Sequence, residues 1–274
     1  MKPASRASYN ISAIPIWRRI VLDLLSVFYN EETTEHILVD VDVSCIKDMI
    51  DRYRQAGHHI TMTAVLLKAI AMVQKNHPDS RTFPISSNRT VTFHDITAGF
   101  TVERIVAGQP SVFFGEIDSP QLKTLIEISQ ELESYQTAEI VELPKLAQQY
   151  RFALLPSFLR LAILRLATLS PAFRLNYMKS TFGLSSLGSL GVQAVIGPAV
   201  CPAVFGIGAI EPAIRVIDKQ PAIRPSMTIS LNFDNRVMSC YQAARLIRDL
   251  KDLLESAWEE AVPSIRKQAL TNNR

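Results

Sequence analysis

Between Ser180 and Ile210 the chain runs for 31 residues without a charged side chain. By length alone such a run could cross a bilayer. Yet it holds glycines at 183, 188, 191, 197, 206 and 208, and prolines at 198 and 202. A lipid-exposed segment must satisfy its own backbone hydrogen bonds as a helix, and this composition breaks helices repeatedly. The block therefore predicts two or three buried strands joined by tight turns. A second apolar stretch, 152–173, is interrupted by Pro156, Arg160, Arg165 and Pro171. Its apolar runs are too short to span. They predict a buried or surface-lying helix, with membrane-surface contact left open but not favoured.

Periodicity organises the rest. Trp17, Ile20, Leu24 and Phe28 recur at helical spacing and predict a helix over 14–29. In HILVDVDVS, Ile37, Val39, Val41 and Val43 alternate with Leu38, Asp40, Asp42 and Ser44, which predicts a strand with one face in the core. Ser44 is read as the cap of a helix to about Gln55, closed by Gly57. A further helix is read from Thr63 to Asn76. The runs TVTFH, ITAGFTVE and PSVFFGEI read as short strands. Ser119-Pro120 signals a helix start, with that helix running to about Tyr135. More helix is expected between Leu143 and Leu169. MTISLNFD is the clearest strand, with Met227, Ile229, Leu231 and Phe233 facing one way. After it, Ala243, Leu246, Ile247, Leu250, Leu253 and Leu254 form the apolar face of a helix from Tyr241 to about Glu260.

Strands and helices intermingle without a repeat period or a linker, which predicts one α/β sandwich with a mixed sheet. The expected division is an extension over 1–10, a single domain over 11–262 and a polar tail over 263–274. With 274 residues, 47% hydrophobic and 20% charged, the chain can build a substantial core and is not disordered. A net charge of +3 without a long basic run argues against a nucleic-acid partner. Cys45, Cys201 and Cys240 are too scattered for a disulfide framework, and no cysteine or histidine spacing suggests a metal site. No apolar run precedes Ile14, so no secretory signal is read and a cytoplasmic location is expected.

The most informative junction is SLNFDNRVMSCYQAARLIRDLKDLLES, a strand turning sharply into an amphipathic helix. Such connections let side chains and helix-start amides converge on a ligand. Phe233, Asp234, Arg236, Ala243, Ala244, Leu253, Leu254 and Glu255 resemble the C-terminal signature of the 2-oxoacid dehydrogenase acyltransferase catalytic domain, approximately F-D-H-R-x-x-D-G followed by an Ala-rich helix ending in Leu-Leu-Glu. TFGLSSLGSLGVQAVIGPAVCPAVFGIGAIEP is similar to that family's glycine-rich block. The opening helix, HILVDVDVS and TMTAVLLKAIAMVQKNHP resemble its earlier elements, so the resemblance covers about Ile11 to Glu260.

The resemblance implies a chloramphenicol acetyltransferase-like fold, a two-layer sandwich with a mixed sheet and helices packed on it. It also implies a homotrimer and acyl transfer from a thioester. In the family a His in the D-H-R motif is the general base, and a Ser in the glycine-rich block stabilises the oxyanion across a subunit interface. Carried over, Ser185 takes the oxyanion position and Ser186 stands where Asn is common. Asn235 stands where the base His is found, Ser239 where Asp is found and Cys240 where Gly is found. An Asn amide cannot take a proton in turnover. Asn235 and Ser185 are thus the candidate catalytic positions, and Ser186, Asp234, Arg236, Ser239 and Cys240 the candidate substrate-binding ones. The family's Asp usually pairs with an Arg of the first helix, and Trp17 falls at that Arg's position, so both members of the pair are replaced.

Three readings remain open: an acyltransferase with a non-standard site, an inactive relative kept for binding or assembly, and a pocket running another reaction. Cys240, ahead of a helix, reads mainly as a small residue tolerated at a turn, with a nucleophilic thiolate as the sharper alternative. His94 reads as a structural strand histidine rather than a substitute base. The first core helix starts by about Ile14 and leaves no room for a lipoyl domain or a peripheral-subunit binding segment, which resembles a stand-alone member. The expected co-substrate is a coenzyme A or acyl-carrier-protein thioester, with no covalently bound cofactor and an unknown acyl acceptor.

Overall fold

A computed structural model describes residues 14–29, 33–86, 88–106, 109–139, 142–170, 172–173 and 179–256. The expected extension over 1–10, the tail over 263–274 and the side chain of Trp17 lie outside the described residues.

The chain opens with α1 (Ile16–Phe28), then β1 (Thr34–Asp42), α2 (Ser44–Gln55) and α3 (Met62–Gln74). A hairpin of β2 (Thr82–Ser86) and β3 (Arg89–Thr92) follows, then β4 (Thr97–Val106) and β5 (Gln109–Asp118). Three helices come next: α4 (Leu125–Thr137), α5 (Pro144–Ala153) and α6 (Ser157–Leu169). The chain then runs through β6 (Phe182–Ser186), β7 (Ala203–Ile217), β8 (Gln220–Asp234) and α7 (Cys240–Glu255). The main sheet has the order β1-β8-β7-β6-β4-β5. β6 pairs parallel to both β4 and β7, while the other neighbours pair antiparallel, so the sheet is mixed as expected.

Two starts differ from the sequence reading. Ser119 does not cap α4: its φ of 49° is left-handed, and it heads a single 3-10 turn over Pro120–Leu122. The cap is Thr124, whose hydroxyl accepts from Glu127 N while Glu127 reaches back to the Thr124 amide at 2.7 Å. That is a capping box, and it outcompetes the Ser-Pro signal because it satisfies two orphan amides at once. Ser44 is likewise the first helical residue rather than the cap, and its amide and hydroxyl both donate to Asp42 Oδ1.

Alternation sorts the sheet into two faces. Ala98, Phe100, Phe113, Phe182, Leu184, Phe205, Leu231 and Phe233 are buried in one continuous core with α3, α4 and α7. The intervening residues Gly99, Thr101, Phe114, Glu116, Gly183, Ser185 and Val204 point the other way, where α5 and α6 pack on α1, and α1 and α5 pack against β5. The buried ion pair of Arg160 Nε with Asp23 Oδ2, at 2.5 Å, fastens α6 to α1, and Arg160 Nη1 also donates to the Leu155 carbonyl.

The glycine-rich block contributes β6 and the start of β7, with 187–202 folded back over the sheet between them. A Cβ at Gly206 or Gly208 would run into the carbonyls of Val195 and Gln193, and one at Gly188 into Gly208. Glycine is required there because two backbones touch. Beyond Ile210 the β7–β8 hairpin closes on Asp218 and Lys219, both left-handed, and it leaves Ile214, Val216 and Ile223 largely exposed. Among the described residues no helix is long and apolar enough to cross a membrane.

Candidate functional site

The end of β8 is shaped by Asp234. Its Oδ1 accepts from the Arg236 amide at 3.0 Å, which bends the chain into a turn, and its carboxylate grips the Arg236 guanidinium through Nε and Nη2. This pairing holds the guanidinium above its usual pKa. Buried Met238 anchors the turn beneath. Ser239 then caps α7 in a second capping box: it accepts from Gln242 N, and Gln242 Oε1 accepts from the Ser239 amide at 2.8 Å. The helix ends at Leu253-Leu254-Glu255, where Glu255 accepts from the Asp42 amide at 2.8 Å.

Asn235 is exposed at the tip of this turn. Its backbone amide donates to the Thr33 carbonyl at 2.9 Å, and its side-chain amide donates to Glu35 Oε1. The other oxygen of Glu35 accepts from the Cys240 thiol. That contact raises the Cys240 pKa, since a carboxylate hydrogen bond favours the protonated thiol. The same position argues against the thiolate nucleophile. Glu35 is the site residue that sequence reasoning misses. It lies at the first turn-side residues of β1, and antiparallel pairing of Glu35 with Phe233 brings it beside the motif. No local pattern marks it; only the strand register does.

Ser185 lies elsewhere. In sheet register it sits across from Gly206 and Ser230, whereas Asn235 is five residues further along β8. Two strand spacings and five residues of rise separate the two by roughly 19 Å. A single chain therefore does not bring Ser185 and Asn235 together. Ser185 is half-buried on the wall of a largely apolar cavity, and its hydroxyl makes no hydrogen bond among the described residues. Ser186 faces solvent.

A second, more polar cleft of about 670 Å³ runs past Asp234, Arg236 and Val237, between the end of α1 and the β2–β3 hairpin. Val200 and Cys201 border both cavities and form their common wall. His94 is exposed and lines neither; its carbonyl accepts from Arg81.

The comparisons with known proteins fit this architecture. Residues 165–262 match the family model of the 2-oxoacid dehydrogenases acyltransferase (catalytic domain). A probable dihydrolipoamide acetyltransferase from Listeria monocytogenes superposes with a TM-score of 0.66 at 17% identity, over 92% of this chain and 96% of that one. A truncated catalytic core of the 2-oxoacid dehydrogenase multienzyme complex from Thermoplasma acidophilum gives 0.66 at 19% identity, over 91% and 99%. A chloramphenicol acetyltransferase gives 0.50 at 12% identity, over 88% and 96%. No curated protein matches the sequence. At these identities the solved structures establish a shared fold. The matched stretch, which carries both Ser185 and Asn235, is similar to the catalytic domain of the 2-oxoacid dehydrogenase acyltransferases.

Proposed function

We propose that residues 11–262 act as an acyltransferase-type unit that binds acyl thioesters of coenzyme A or of an acyl carrier protein, and that ordinary acyl transfer is impaired at Asn235. The observation that carries this reading is the contrast within the matched stretch: a hydroxyl without a partner at Ser185 and a non-basic amide at Asn235. A thioester carbonyl could receive a hydrogen bond from Ser185. An anionic carrier would meet Arg89 along the polar cleft.

The separation of Ser185 and Asn235 supports a homotrimer in which one copy supplies the serine and its neighbour the 235 position. The exposed apolar hairpin end, Ile214, Val216 and Ile223, supports the same arrangement, since such a patch is covered in oligomers. Sedimentation equilibrium should give three times the chain mass; a monomer at micromolar concentration overturns it.

The function is tested by Asn235→His, assayed with acetyl-coenzyme A against a panel of thiols and alcohols. Restoring a base should raise the rate by roughly 10²- to 10⁴-fold. Glu35 would then face the new imidazole and raise its pKa above ~6.5. A general base works in its neutral form, so the gained activity should climb as pH rises through that raised value. Adding Glu35→Gln should move the climb to lower pH. No gain with any acceptor would favour the binding or assembly reading, and brisk wild-type transfer would overturn the impairment.

A further inference from the structure

The cavity beside Ser185 has a volume of about 240 Å³, space for roughly eight groups of water or methylene size at ~30 Å³ each. Its roof is hydrocarbon: Leu24 of α1, Phe152 of α5, and Ile163, Leu164 and Ala167 of α6. Its floor is the sheet face where Gly99 and Gly183, paired in register, leave no side chain. The polar groups on the wall are largely engaged with one another. Glu116 holds Lys145 at 2.5 Å and accepts from Ser180 at 3.2 Å, while Gln149 both donates to and accepts from the Phe114 backbone. The Ser185 hydroxyl stands at the edge of this apolar space without a partner among the described residues.

A largely apolar cavity with the Ser185 hydroxyl on its wall, unpartnered among the described residues, matches a ligand with an apolar tail and a single carbonyl head. Acetyl would leave most of the space empty. We infer that the cavity holds a straight aliphatic acyl chain of about eight carbons, its carbonyl at Ser185 and its tail beneath α6. This deepens, and rests on, the acyl-thioester reading, because that reading supplies the carbonyl at Ser185. The same chain could arrive as a thioester or as a free fatty acid.

The test is calorimetric titration of the whole protein with saturated carboxylates from two to fourteen carbons and with their coenzyme A thioesters. Affinity should rise about fourfold per methylene, then level near eight carbons. Gly183→Leu projects into the cavity, where a Cβ at 183 meets Val204 only at an ordinary 3.5 Å, and should move the plateau shorter by roughly the four carbons added. Ala167→Leu fills the same space from the roof and serves if the strand variant fails to fold. Thioesters that bind with no dependence on chain length overturn the acyl cavity and leave the thioester reading standing. Chain-length dependence with no preference for thioesters over carboxylates does the reverse. Absence of binding in both series overturns both, and a plateau that neither variant moves overturns the cavity assignment alone.

Discussion

The surroundings of Ser185 and of Asn235 differ in how far their polar groups are committed. Around Ser185 the floor is glycine, the roof is aliphatic and the hydroxyl is unclaimed among the described residues. Around Asn235 the polar groups interlock: Asp234 with Arg236, Ser239 with Gln242, and Glu35 with both Asn235 and Cys240. The first region has kept room for a ligand, whereas the second spends its polar groups on holding a turn and a helix start. On the proposed reading, a motif of this kind persists as architecture at one end while its chemistry changes. Asn235→His probes this directly and carries the largest expected effect, because it tests whether the committed region still accepts a base.

Next in size is the fastening of the cavity roof. Arg160 and Asp23 are nearly buried, and the pair joins α6 to α1. Asp23→Ala leaves a guanidinium buried without its counter-charge, which should cost about 3 kcal/mol in chemical denaturation. Because α1 and α6 both line the cavity, the variant should also weaken binding of the aliphatic ligand while leaving the Asn235 turn intact. Equal loss in both regions would break the division between them. A smaller effect is expected at Ser239→Ala, which removes the hydroxyl of the α7 capping box and should cost about 1 kcal/mol. If Ser239 instead contacts a substrate, binding would fall with little change in stability.

Much of the fold was readable along the chain, and the reasons are local. MTISLNFD alternates cleanly because one face of β8 is buried among helices, and α7 shows its apolar stripe because only one side meets the sheet. The glycines of the 180–210 block argued against a membrane helix and for strands joined by turns, whereas their role in letting two backbones touch at 188, 206 and 208 came only with the fold. Helix starts were harder. Ser119-Pro120 and Thr124-x-x-Glu127 both carry start signals, and nothing local says that the first is only a 3-10 turn. Of the candidate site, the motifs single out Ser185 and Asn235 but not their separation, since it depends on which strands pair and in what register. Glu35 was invisible for the same reason, and so was the cavity, which is built from three helices and four strands distant in sequence.

The smallest predicted effect concerns the Cys240 thiol. In the first turn of α7, amides and the dipole would ordinarily favour a thiolate, so position alone predicts a reactive cysteine. The Glu35 carboxylate opposes this, accepting the thiol proton and raising the Cys240 pKa. The thiolate fraction near pH 7.5 is therefore below that of an ordinary cysteine, and iodoacetamide should label Cys240 severalfold more slowly than a model thiol, read by peptide mass spectrometry. Glu35→Gln removes the charge and should quicken labelling, with the midpoint of the rate against pH moving downward. Such acceleration would identify Glu35 as the group that holds both donors at this end of the sheet. Fast labelling of the wild type would place Cys240 back among the reactive groups and dissolve the contrast between a committed region and an open one.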